Sequence, residues 1–178
     1  HMLHKINLTL KNVKKIVGVE PSAYVISKLN NDNKIKKIKF IKSFAHDLPF
    51  KDNSFELVYL WSTLHWIDRN HYLQSIGEAI RVSSKYIAII DFSPKKNHKT
   101  KYHHRKNFFT YKMDFDKIFS NSGITRRIVK KIWYSDKKGQ IKSINESKLK
   151  HNKNKLINSK LRKYCLYLKD SNILSLKK

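Results

Sequence analysis

At 178 residues the chain has the size of one ordinary domain, and its 40% hydrophobic content is enough for a core. One cysteine, Cys165, excludes an internal disulfide and a cysteine-built zinc site; no apolar run could span a bilayer and no signal peptide is visible, so a reducing, cytoplasmic setting is expected. The formal net charge of +26 points to nucleic acid or an anionic surface, but it is lysine spread along the whole chain beside many asparagines and isoleucines, as AT-rich codons would give, and it is read here as a solvated surface.

In chain order, Leu3 to Leu10 has apolar residues on one helical face. Lys15 to Val19 is a short apolar strand. Pro21 and Ser22 then open a helix carrying Ala23, Val25, Ile26 and Leu29, which ends in the polar cluster Asn30 to Asn33. Lys36 to Ser43 alternates as a strand does. Phe55 to Trp61 reads as a strand buried on both faces. Arg69 to Val82 has helical spacing at Leu73, Ile76, Ala79 and Ile80, and Lys85 to Phe92 is a second buried strand. Strands alternating with helices imply a parallel sheet with right-handed crossovers. Ser93 to Asn107 reads as a polar loop, Phe109 to Ser122 as a helix stopped by Gly123, and Ile124 to Tyr134 as a strand. From Ser135 the chain is rich in Lys and Asn, and Leu156, Leu161, Tyr164, Leu166, Tyr167 and Leu168 suggest one amphipathic helix. The expected division is therefore a domain over 3–134 and a helical or disordered extension over 135–178.

Two segments carry chemistry. In Ile16-Val17-Gly18-Val19-Glu20-Pro21-Ser22 an apolar strand is followed by an acid and a helix start. In Ala45-His46-Asp47-Leu48-Pro49-Phe50-Lys51-Asp52-Asn53-Ser54-Phe55-Glu56-Leu57-Val58-Tyr59 a loop holding an acid feeds a strand. Acids at the carboxyl ends of successive strands are what a nucleotide-like cofactor uses in an open α/β sheet.

These residues, followed by Leu64-His65-Trp66-Ile67, resemble the class I methyltransferases that use S-adenosylmethionine (SAM), most of all their type 11 group, over about residues 3–134. Ser83 to Phe92 and Tyr102 to Phe115 resemble, more narrowly, the methylases found with pseudaminic acid and other sugar biosynthesis genes. The resemblance implies a Rossmann-like α/β fold with SAM as cofactor. It implies that Glu20, with Pro21 beside it, accepts from the ribose hydroxyls, and that Asp47 accepts from the adenine amino group. Ala45, His46, Asp47 and Leu48 then enclose the ring, and Trp61 and Ser62 sit where the methionine portion meets the acceptor. His65 is the candidate general base. His103, His104 and Arg105 belong to a loop that shapes acceptor sites in this fold, where an anionic sugar or nucleotide sugar would fit. His98, His103 and His104 lack a supporting carboxylate pattern, so no metal is expected.

The family's acid-x-Gly-x-Gly-x-Gly loop is missing: the glycines are Gly18, Gly77, Gly123 and Gly139. The expectation is an N-terminally truncated methyltransferase, impaired in this form, acting on a small acceptor, without a membrane role. The alternative is a non-catalytic, basic nucleic-acid-binding or interaction protein on a decayed methyltransferase scaffold. Its Lys-rich tail and Tyr164 and Tyr167 would form the contact surface.

Overall fold

The computed structural model describes residues 13–32, 38–94, 96–102, 105, 107–121, 124–135, 140–143 and 161–169. The helix expected at Leu3 to Leu10 lies outside them. The chain divides into two compact units, residues 1–49 and 50–178.

The first unit holds a βαβ crossover. Strand β1 (Ile16–Glu20) and strand β2 (Ile38–Lys42) pair in parallel, in register from Ile16 opposite Ile38 to Glu20 opposite Lys42. Helix α1 (Ala23–Asn30) connects them, as a parallel pair requires. Its start was legible: Ser22 is the N-cap, and its Oγ accepts from the Val25 amide at 3.3 Å.

The second unit opens with another crossover. Strand β3 (Phe55–Trp61) and strand β4 (Ser83–Asp91) pair in parallel through helix α2 (Arg69–Val82). The boundaries of β3 and α2 are those expected from the sequence, but two burial expectations change. β3 has no fully buried residue, and Glu56 and Leu57 are exposed; among the described strands it stands at the end of its sheet. The double-sided burial is in β4, where Ile87 to Asp91 are all buried. On α2 the inward stripe is Tyr72, Ser75, Ile76, Ala79 and Val82, while Leu73 faces outward. Arg81 in its last turn anchors the approach to β3: Nη1 donates to Phe50 O at 2.7 Å and to Asp52 Oδ1 at 2.9 Å.

Three corrections concern the rest of the chain. Part of the expected polar loop is strand β5 (His98–Lys101), which pairs antiparallel with strand β6 (Phe109–Lys112). β6 occupies the start of the expected helix, which shortens to α3 (Phe115–Asn121). The helix expected through Leu161 to Leu168 is instead strand β9 (Leu161–Leu168). It lies antiparallel between β4 and strand β7 (Thr125–Ser135), and strand β8 (Gln140–Ser143) follows β7, giving the order β3-β4-β9-β7-β8. The nearly continuous apolar run from Tyr164 to Leu168 fits a buried strand, and a central position between two partners overrides the weak helical spacing.

The core of this unit gathers Leu64, Tyr72, Ile76, Ile87, Ile89, Phe115, Phe119, Ile124 and Tyr167. Tyr167 stacks on Phe119 with ring centroids 4.3 Å apart, and its hydroxyl donates to the buried Asp116 Oδ1 at 2.9 Å. Tyr167 is thus a core residue, where a contact-surface role had been the alternative expectation.

Candidate functional site

In the first unit both expected acids follow strands of the same parallel pair. Glu20 ends β1, half-buried, and its Oε1 accepts from the Ser22 amide at 3.0 Å. That bond turns the chain out of the strand into α1 and fixes the carboxylate at the carboxyl end of the sheet. Pro21 is exposed beside it. Five residues beyond β2, Asp47 lies in a tight turn: its amide donates to Phe44 O at 3.1 Å, and the Ser43 hydroxyl donates to Asp47 O. The His46 ring stacks on Phe44 at 5.2 Å, Ala45 and Leu48 are half-buried, and the Asp47 residue is exposed.

In the second unit the residues after β3 converge on the end of β4. Trp61 is half-buried against the edge of Tyr59. Ser62 has φ 49°, a left-handed conformation uncommon for serine. Its amide donates to Ile90 O at 2.7 Å, which holds the bend, and its buried Oγ has no hydrogen-bond partner among the described residues. Strained backbone and an unsatisfied buried hydroxyl both cluster at functional sites.

A 3-10 turn, Leu64–Trp66, follows. His65 is buried, and its Nδ1 lies 2.7 Å from Asp91 Oδ1. Asp91 Oδ2 accepts from the Leu64 amide at 2.8 Å and the His65 amide at 3.4 Å, and Oδ1 accepts from the Phe92 amide at 2.7 Å. The Asp91 side chain is 1% exposed. Nearby Tyr72 has its hydroxyl pushed well above the usual phenol range by burial, with the negative charges of Asp91 and Asp114 adding to the effect. The His65 ring is walled by Trp66 and by Phe92, each with its centroid 4.9 Å away.

Trp66 is 43% exposed. Its ring is held by Tyr102 at 5.0 Å and Phe108 at 6.0 Å. Arg105 is exposed, with its guanidinium 5.9 Å from the Phe108 ring centre, and Lys112 Nζ lies 4.3 Å from that of Phe92. His103 and His104 lie outside the described residues. From Phe92 to Met113 the sequence has Lys95, Lys96, Lys99, Lys101, Arg105, Lys106 and Lys112 and no acid.

Sequence reasoning missed Asp91 and the aromatic group. Asp91 carries the same signal that picked out Glu20, an acid ending an apolar strand. The aromatic group had no signal, because β5 and β6 bring Tyr102 and Phe108 to Trp66. Among the described residues no cluster of His, Cys, Asp and Glu could hold a metal ion, and no helix is long and apolar enough to cross a membrane.

A family model described as a methyltransferase domain matches residues 4–89. No curated protein matches the chain. Among solved structures, a SAM-dependent methyltransferase from Methanosarcina mazei is similar with a TM-score of 0.61 at 12% identity, over 87% of this chain and 82% of that one. One from Mesorhizobium loti, described as S-adenosylmethionine dependent, has a TM-score of 0.59 at 10% identity, over 88% and 81%. A putative methyltransferase from Bacillus halodurans has 0.55 at 13% identity, over 89% and 84%. The chain thus has the Rossmann-like α/β fold of the SAM-dependent methyltransferases.

Proposed function

We propose that the protein transfers a methyl group from SAM to a small acceptor, an anionic sugar or nucleotide sugar, in a reducing cytoplasm. The observation that carries this reading is Glu20 at the carboxyl end of β1, its carboxylate oriented by the Ser22 amide. A carboxylate offers two acceptor oxygens at a spacing that suits a ribose diol. Asp47 accepts from the adenine amino group, with Ala45, His46 and Leu48 around the ring and Pro21 beside the ribose. In the second unit Trp61 and Ser62 serve the methionine portion, where the Ser62 hydroxyl, without a hydrogen-bond partner among the described residues, would find one.

The cofactor supplies an activated methyl on a sulfonium, so the protein's task is alignment and proton removal. His65 is the base. Trp66 offers a ring face to a sugar, and the acid-free segment with His103, His104 and Arg105 offers positive charge to a phosphate or carboxylate.

Calorimetric titration with S-adenosylhomocysteine tests the reading. The chain is expected to bind it, and Glu20→Gln to bind at least about tenfold more weakly, since one charged hydrogen bond is worth about 1.5–3 kcal/mol. No binding by the unaltered chain would overturn the proposal.

A further inference from the structure

His65 and Asp91 form a buried pair between the turn after β3 and the end of β4. The Asp91 carboxylate accepts from the backbone amides of Leu64, His65 and Phe92, and its Oδ1 lies 2.7 Å from His65 Nδ1. The carboxylate is an acceptor only, so the ring proton belongs on Nδ1, and a neutral His65 has Nε2 bare. Isolated histidine needs no such arrangement to pack. Here a 1%-exposed carboxylate fixes one tautomer and would face the imidazolium when a proton arrives.

We propose that Asp91 is a positioning residue that keeps His65 Nε2 free to take a proton, and that the acceptor atom is a hydroxyl oxygen. The inference rests on the methyl-transfer reading above. A sugar hydroxyl is a poor nucleophile until it loses its proton, whereas a neutral amine attacks a sulfonium unaided. In the step, the hydroxyl oxygen forms the O–CH3 bond as the S–CH3 bond breaks. The bonding pair stays on sulfur, giving neutral S-adenosylhomocysteine, and the hydroxyl proton moves to His65 Nε2. The positive charge of the sulfonium reappears on the imidazolium, opposite Asp91.

Long-range 1H–15N spectra of the full chain test this, with His65 assigned from its loss in His65→Gln. The unaltered protein is expected to show His65 protonated on Nδ1 and bare at Nε2. Asp91→Asn, whose amide can donate to the ring, is expected to reverse this. A histidine that only packs would ignore the cofactor's charge. A base beside the methyl group would show its Nε2 resonance moving with SAM, which carries the sulfonium, and moving less with S-adenosylhomocysteine. A proton on Nε2 in the unaltered protein overturns the proposal, and that result does not need Asp91→Asn to fold. Backbone amides that shift while Nε2 responds equally to both ligands would overturn it alone, leaving the methyl-transfer reading intact. Silence of the whole spectrum toward both ligands overturns both. A product methylated on nitrogen or sulfur also overturns it.

Discussion

Asp68 caps α2 with both carboxylate oxygens. Oδ1 accepts from the Asn70 and His71 amides at 2.8 and 3.2 Å, and Oδ2 lies 2.7 Å from His71 Nδ1. The His71 hydrogen bond holds its carboxyl below the usual carboxylate range; burial opposes it, and the two amides add to the lowering. A depressed folded-state value means that the stabilisation is fully present above the unfolded value, about 3.9, and is lost as pH falls through the folded one. Asp68→Ala is expected to lower stability by about 1 kcal/mol at neutral pH. The gap to the unaltered chain should close in acid, and urea unfolding at several pH values measures it; a gap that widens in acid would refute the assignment. At this scale the sequence was informative where one residue type does one local job. Ser22 as a cap and Glu20 as a strand-ending acid were legible. The Asp91–His65 bond joins residues 26 apart in sequence, and nothing local announced it.

Elements were legible where their apolar period was strong. β3 and α2 fall where their spacing puts them, and β1, α1 and β4 lie within a few residues of it. The hairpin β5–β6 was not, because His-Lys-Thr-Lys has no apolar face; its pairing with β6, and Lys99 4.8 Å from the Phe109 ring centre, give it its form. β9 was misread because its apolar residues are nearly continuous, which fits either period. Its place is fixed in part by Tyr167, whose hydroxyl reaches Asp116 on α3. Tyr167→Phe is expected to cost about 1.5–3 kcal/mol, the usual worth of a hydrogen bond to a charged group. Tyr167→Ala should cost more, since the stack on Phe119 goes as well. Thermal and urea melts of the two variants check the order; a phenylalanine as stable as tyrosine would show that the bond contributes nothing. Just past β9, Lys169 Nζ donates to Asn53 Oδ1, Ile80 O and Ser83 O at 2.8–3.0 Å, and burial pulls its ammonium below the usual lysine range.

For the whole molecule, charge is the dominant fact. A net charge of +26 on 178 residues repels itself when folded. Raising salt shortens the screening length from about 10 Å at 0.1 M to about 3 Å at 1 M. The melting temperature is expected to rise by several degrees over that range with sodium chloride, and scanning calorimetry would show it; a fall would mean that favourable ion pairs outweigh the repulsion. The fold class was readable at this scale because strands alternate with helices along the chain and acids follow two of the strands. The path of the last strand was not, since strand order depends on pairing between distant segments.

That path sets a timetable for synthesis. β9 sits in the middle of its sheet, between β4 and β7, yet the ribosome makes it long after both. Until residues 161–168 emerge, the facing edges of β4 and β7 have no strand between them, and a nascent chain displays two open strand edges. Interruption of translation anywhere upstream of Leu161 would release a product that cannot complete its second unit. Such fragments should be substrates for chaperones and proteases.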